Sequence, residues 1–160
     1  MSGQKEVGYF AAGCFWGVEA AFRQVKGVVS TAVGYQGGHT LNPNYEQVCS
    51  GTTDHAEVVA VTFDPAQVSY EQLLSVFWSK HDPTTLNRQG PDIGTQYRSA
   101  IFYASDAQKD AAEKSKEALD KAGVFSSPIV TEITRAGDFF MAEDYHQQYL
   151  EKRGMASCQI

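Results

Sequence analysis

One thiol in this chain stands where nucleophilic chemistry is easiest to arrange. In Ala12-Gly13-Cys14-Phe15-Trp16-Gly17, Cys14 follows a strand-like run from Val7 to Ala11. It precedes an amphipathic pattern with Val18, Ala21, Phe22 and Val25 at i, i+3, i+4 and i+7. A residue at such a handover meets the unpaired N–H groups and partial positive charge of a helix N-terminus. Those favour the thiolate, which is the nucleophile. Gly13 permits a tight turn. Gly17, a poor helix former, suggests a close approach to the first turn. Phe15 and Trp16 set two large rings beside the sulfur. Composition alone fits a buried Cys between core aromatics; the handover and the flanking glycines favour a reactive thiol in an aromatic pocket.

A carboxyl is the second candidate group. Glu57 stands directly before the apolar run Val58-Val59-Ala60-Val61. Exposed, it is a strand-end charge; buried, its pKa rises and it stays protonated near neutral pH. Tyr45 and Tyr97 taken singly read as half-buried rings with wet hydroxyls. Asp92, two residues before Gly94, reads equally well as a turn former.

The elements that must position these groups follow from periodicity and punctuation. Strands are expected over Val7–Ala11, Val28–Tyr35, His55–Phe63, Arg98–Tyr103 and Ile129–Thr134. The first helix spans 15–25 and ends at Gly27. The second opens at Ser69, with Gln72 completing a capping box, and buries Tyr70, Leu73, Leu74, Phe77 and Trp78. The third is capped by Ser105, closed by Gly123, and carries Asp110–Lys114 and Glu117–Lys121 pairs on a solvated face. Tyr45–Cys49 forms a short helix or turn. Residues 81–96 read as a long loop, a length that usually serves function. Residues 139–150 are aromatic-rich and partly helical, and 152–160 form a small-residue tail expected to be mobile. The order β-α-β-β-α-β-α-β predicts an α+β chain with a ferredoxin-like, split β-α-β core: an antiparallel-type sheet with helices on one face, plus added loops and a C-terminal coil.

Composition narrows the function classes. The 160 residues suit one catalytic domain over 1–160. Thirteen basic against nineteen acidic side chains give a net charge of −6, which argues against nucleic acid or an anionic membrane as partner. No apolar run reaches transmembrane length. The polar start, Met1 to Glu6, carries no apolar signal core, so a cytoplasmic location is expected. Three Cys at 14, 49 and 158 make no disulfide framework and fit a reducing compartment. The four scattered His supply no ligand spacing, so neither a metal nor another cofactor is expected.

The hexapeptide around Cys14 resembles the active-site signature of the peptide methionine sulfoxide reductases of the A type. Asn44-Tyr45-Glu46-Gln47-Val48-Cys49-Ser50-Gly51, His55-Ala56-Glu57, Pro91-Asp92-Ile93-Gly94-Thr95-Gln96-Tyr97-Arg98-Ser99 and Ala142-Glu143-Asp144-Tyr145-His146-Gln147-Gln148-Tyr149 resemble further family stretches. The resemblance implies reduction of methionine-(S)-sulfoxide, in proteins and free. Cys14 would attack sulfur, Glu57 protonate the oxygen, and Tyr45 and Tyr97 bind it. Phe15 and Trp16 would hold the methyl group, Tyr145 would wall the pocket, and Asp92 would order the site from behind. Cys14 would be left as sulfenic acid, resolved by Cys158 from the tail, with thioredoxin reducing the disulfide and the enzyme acting as a monomer. Cys49 is expected to be a buried small hydrophobe, and His146 a structural ring rather than a base. Asp54 departs from the family's usual Gly and is expected to alter the loop and bring a charge near Glu57. Two other readings remain open on the residues alone: a thiol peroxidase-like redox enzyme, and a non-catalytic ferredoxin-like binding module.

Overall fold

Side-chain alternation decides which way the central strands face. The computed structural model describes residues 5–152; Cys158 lies outside them. In chain order the elements are β1 (Glu6–Ala12), α1 (Phe15–Arg23), β2 (Val28–Gln36), α2 (Tyr45–Cys49), β3 (Ala56–Phe63), α3 (Tyr70–Ser79), β4 (Arg88–Gln89), β5 (Asp92–Ile93), a 3-10 turn (Thr95–Tyr97), β6 (Ser99–Tyr103), α4 (Asp106–Ala122), β7 (Glu132–Arg135), β8 (Phe140–Met141), a second 3-10 turn (Asp144–His146) and α5 (Tyr149–Lys152).

The main sheet has the order β7-β6-β1-β3-β2-β8, with every pair antiparallel except β6–β7. The expected ferredoxin-like core is therefore present as β6-β1-β3-β2. Phe10 and Ala12 of β1, Val33 and Tyr35 of β2, and Val59, Val61 and Phe63 of β3 share one face with Phe15, Val18 and Phe22 of α1 and Leu73, Leu74 and Phe77 of α3. Phe10 is the hub, with ring centroids 4.9 Å from Phe22 and 5.7 Å from Phe77. The other face carries a smaller cluster of Ala11, Ala56, Val58, Ala100 and Phe102, covered by Ala136 and Phe139. Among the described residues an extended segment, not a helix, does that job. Gly34 makes it possible, because a Cβ there would meet the Phe140 carbonyl oxygen and the Phe139 ring.

Local chemistry places the helix ends as expected. Ser69 Oγ accepts the Gln72 N–H at 3.0 Å, and Gln72 Oε1 accepts the Ser69 N–H at 2.8 Å. Gln108 departs from its box. Its backbone donates to Ser105 Oγ, but its side chain accepts from Ala104 N–H and donates to the Val7 carbonyl at 3.0 Å, tying α4 to β1. Helix α1 stops at Arg23 rather than 25, with Val25 N–H bonding the Phe22 carbonyl in a tighter turn. The fifth predicted strand is displaced to Glu132–Arg135.

The long stretch 81–96 is not structureless. It contains the β4–β5 hairpin and is anchored at its base by His81. The His81 Nδ1 lies 2.7 Å from the Phe77 carbonyl, which can only accept, so Nδ1 carries the proton. Nε2 therefore accepts from Ser99 Oγ at 2.7 Å, and Ser99 accepts from Thr131 at 2.7 Å. Burial pushes the His81 pKa down to about 4. A ring held neutral in the fold contributes its full stability above the ordinary value of about 6.5. That contribution is lost as pH falls from there through about 4, because the unfolded chain takes the proton first. Urea unfolding at pH 7, 5.5 and 4 should show the stability advantage of wild type over His81→Asn shrinking through this window. An advantage independent of pH would contradict the neutral ring.

Candidate active site

Cys14 sits at the N-cap of α1, the handover that the sequence pattern predicts, with φ −56° and ψ 120°. Gly13 before it has φ +94°, and a Cβ there would come within 2.7 Å of the Gln89 side chain. The glycine thus serves two ends. It lets the strand turn into the helix, and it lets the β4–β5 hairpin press against that turn. Gln89 is itself fixed, its Oε1 accepting the Asp82 N–H at 2.9 Å. The Cys14 residue is part-buried.

Glu57 arrives from β3. It lies opposite Tyr35 of β2, on the helix-covered face of the sheet, and is 1 % exposed. Its Oε1 accepts the backbone N–H of Phe15 at 3.1 Å, one of the donors that α1 would otherwise leave unpaired. Its Oε2 is buried with no hydrogen-bond partner among the described residues. Burial pushes the Glu57 pKa up to about 8; the Phe15 N–H opposes this and the Asp92 charge reinforces it. At neutral pH the group is a carboxylic acid. One oxygen accepts, and the other carries a proton with nothing to give it to.

Tyr45, at the start of α2, and Tyr97, in the first 3-10 turn, border this acid. Burial raises both phenol pKa values, and the Glu57 charge is the next cause for each. Both remain O–H donors. The Cys49 thiol is within hydrogen-bonding reach of the two phenols. Cys49 corrects the sequence reading: it is exposed, not a buried hydrophobe. Helix α2 is a single turn that buries only Val48, so its last residue faces outward along the pocket's edge. Partial desolvation still holds the thiol's pKa up, so it is not a thiolate. Asp92 lies in the β4–β5 hairpin opposite Gln89, and its charge pushes up both Glu57 and Tyr97.

The aromatic wall centres on His146, which is fully buried. Its Nδ1 accepts the Trp16 indole N–H at 2.9 Å. Rings of Phe15, Tyr45 and Tyr145 surround it at 5.2, 4.4 and 4.0 Å. Burial lowers its pKa, and the Trp16 bond occupies the nitrogen a base would use. Tyr145 lies on the outer side, 54 % exposed. The ring stacked on Trp16 is Tyr149, at 3.8 Å and 8°. Tyr149 was missed, although it lies four residues beyond Tyr145 in the same aromatic stretch.

Three polar residues of that stretch, also missed, knit it to the sheet. Gln147 takes the place of a strand neighbour: its side chain accepts the Val33 N–H and donates to the Val33 carbonyl, both at 2.8 Å. Glu143 accepts the Tyr35 hydroxyl at 2.9 Å and the Tyr45 N–H at 3.0 Å. Burial works to raise the Glu143 pKa, but these donors outweigh it and hold the group below the ordinary carboxylate range. Gln148 bonds Glu19 of α1. Asp54 adopts the left-handed φ of +59° that a glycine would take freely, and it turns outward to pair with His39 at 3.2 Å. The carboxylate acting on Glu57 is Asp92. Among the described residues no cluster could hold a metal ion, and no helix is long and apolar enough to cross a membrane.

Comparison with known proteins matches residues 6–160 to the family described as peptide methionine sulfoxide reductase. Peptide methionine sulfoxide reductase MsrA of Methanosarcina acetivorans is 69% identical over 145 residues, spanning 91% of this chain and 77% of that protein. Among solved structures, reduced Mxr1 from Saccharomyces cerevisiae superposes with a TM-score of 0.88 at 38% identity, covering 94% of this chain and 87% of that one. Mxr1 in complex with Trx2 superposes at 0.65 with 27% identity, covering 91% and 85%.

A buried acid with a raised pKa makes a signed prediction. The neutral form stabilises the fold in full below the unfolded value of about 4.5, and that contribution is lost as pH rises through about 8. Glu57→Gln cannot ionise. Denaturant unfolding between pH 4.5 and 9 should therefore show the variant gaining on wild type as pH rises. Parallel curves would mean that Glu57 is already ionised in the fold.

Proposed function

The chain belongs to the peptide methionine sulfoxide reductase family, A type, and we propose that its thiol, carboxyl and phenols divide the reaction as follows. The overall activity is reduction of methionine sulfoxide to methionine. The substrate's methyl group lies against Phe15 and Trp16, held by apolar and sulfur–aromatic contact. Tyr45 and Tyr97 donate hydrogen bonds to its oxygen. The Cys14 thiolate attacks the electrophilic sulfur while the neutral Glu57 delivers its proton to the oxygen. The transient bond between the Cys14 sulfur and the substrate sulfur then breaks together with the sulfur–oxygen bond, the hydroxyl joins the Cys14 sulfur as sulfenic acid, and methionine leaves with the remaining electron pair as a lone pair. Burial, reinforced by the Asp92 charge, keeps Glu57 protonated until substrate arrives, and Tyr145 closes the outer rim. The observation that carries this assignment is the unpartnered Oε2 of a neutral Glu57 bonded to the residue beside Cys14.

Recycling completes the balance. The Cys158 thiol attacks the sulfenic sulfur, forming a Cys14–Cys158 disulfide and releasing water. A thioredoxin dithiol then reduces that disulfide by exchange; the pairing of Mxr1 with Trx2 supports this partner. The (S)-sulfoxide, in proteins and free, is the substrate. Residues 1–160 act as one catalytic domain, as a monomer in the cytoplasm.

Single-turnover reduction of each separated sulfoxide epimer tests the assignment. Cys14→Ser should abolish methionine formation. Glu57→Gln should slow the first turnover by roughly 10²–10⁴-fold, the usual worth of a placed acid. An unimpaired Glu57→Gln rate would remove the acid from the mechanism. Alkylation and mass analysis after one turnover should find Cys14 joined to Cys158; a Cys14–Cys49 bridge would overturn the recycling scheme.

A further inference from the structure

A buried carboxyl that the proposed reaction leaves unused lies one turn behind the aromatic wall. Glu19 stands on α1, three residues beyond Trp16, and is 1 % exposed. Its Oε1 accepts the backbone N–H of Gln148 at 2.7 Å. Its Oε2 accepts the Gln148 amide at 2.9 Å and the Thr31 hydroxyl at 2.8 Å. The same Gln148 amide donates to the Thr31 carbonyl at 3.2 Å, and Arg23 donates to Thr31 Oγ1 at 3.2 Å. The three groups bonded to Glu19 all donate. A carboxylate satisfies that pattern; a glutamine side chain would place a donor against donors.

The clamp holds an unfavourable backbone. Gln148 has φ +49°, a left-handed conformation that a residue with a Cβ adopts only when its surroundings over-determine it. That conformation turns the chain so that the next residue, Tyr149, lays its ring on Trp16 at 3.8 Å. Trp16 and Glu19, three apart on one helix face, thus grip two successive residues of the C-terminal segment. Trp16 holds a ring and Glu19 holds a backbone.

We propose that Glu19 is a positioning residue for substrate binding: by fixing Gln148 it seats Tyr149 against Trp16, and so sets the orientation of the indole that receives the methyl group of methionine sulfoxide. This rests on the reading of Trp16 as a wall of the substrate pocket. Without the clamp, Gln148 relaxes toward an ordinary φ and Tyr149 leaves the indole. The bond from Glu57 to Phe15 does not involve Gln148, so the chemical step is spared.

Single-turnover kinetics of the full chain, over a concentration series of a peptide containing methionine sulfoxide, separate binding from chemistry. Glu19→Gln should raise the half-saturating concentration roughly tenfold, a change that corresponds to about 1.4 kcal/mol. Its limiting rate should stay within about twofold of wild type. Adding Gln148→Gly should restore binding in large part, because glycine adopts the left-handed φ freely and removes the opposed amide. If Glu19→Gln fails to fold, Gln148→Ala gives the same reading with the carboxyl intact and should weaken binding several-fold. Trp16→Ala is the control. Should it weaken binding while Glu19→Gln, or Gln148→Ala in its place, does not, the positioning role is wrong and the pocket reading stands. Should Trp16→Ala bind as wild type, the pocket reading fails and the inference fails with it.

Discussion

A helix N-terminus and a buried acid meet at 3.1 Å, between the Phe15 N–H and Glu57 Oε1. Two influences compete there. The unpaired N–H groups at the helix start favour negative charge, while removal from water disfavours it. Burial wins at Glu57, whose pKa rises to about 8. That outcome matters for Cys14, one residue away. Were Glu57 ionised, a Cys14 thiolate and the carboxylate would compete for the same few donors and repel each other. With Glu57 neutral, the positive end of α1 is left to the sulfur. The roles proposed for Cys14 and Glu57 depend on that division of charge at one helix mouth.

The sheet holds that meeting in place. Alternation along β3 puts Glu57 on the same face as Val59 and Val61, so the residues that build the core also fix the acid. A slip of one residue in the β2–β3 register would send Glu57 to the opposite face, against Phe139. The long pairing from Val28 to Gln36 resists such a slip. On the other side of the turn, Gly13 admits Gln89, so the hairpin carrying Asp92 is held against the thiol's own backbone.

Much of this was legible in the residues, for identifiable reasons. The position of Cys14 follows from a period of two giving way to a period of 3.6. The start of α3 follows from Ser69 and Gln72, whose bonds are local. What could not be read was short or long-range. Strands β4, β5 and β8 have two residues each, too few for any period. Cys49 reads as buried because a thiol is apolar by composition, whereas a one-turn helix buries only one of its sides. Asp54 was noticed as a departure, but its harmless outward pairing with His39 depends on backbone that sequence does not display. Tyr149 and Glu143 act on partners far away in the chain, and nothing in their immediate neighbours announces the partner.

Two carboxyls beside these rings hold opposite protonation states, and the difference lies in burial and in the count of donors. Glu143 accepts from the Tyr35 hydroxyl and the Tyr45 N–H, keeps part of its surface in water, and is held ionised. Glu57 accepts from one N–H, is almost wholly enclosed, and is held neutral. Deeper burial disfavours the charged form of Glu57, whereas several donors and partial contact with water favour that of Glu143. The anion does structural work, since it binds the C-terminal segment to α2 and so steadies Tyr45. Among the described residues nothing is placed to bond the free oxygen of the neutral acid. A second donor beside Glu57 would bind that oxygen, lower its pKa, and leave a well-satisfied carboxylate with no proton to transfer.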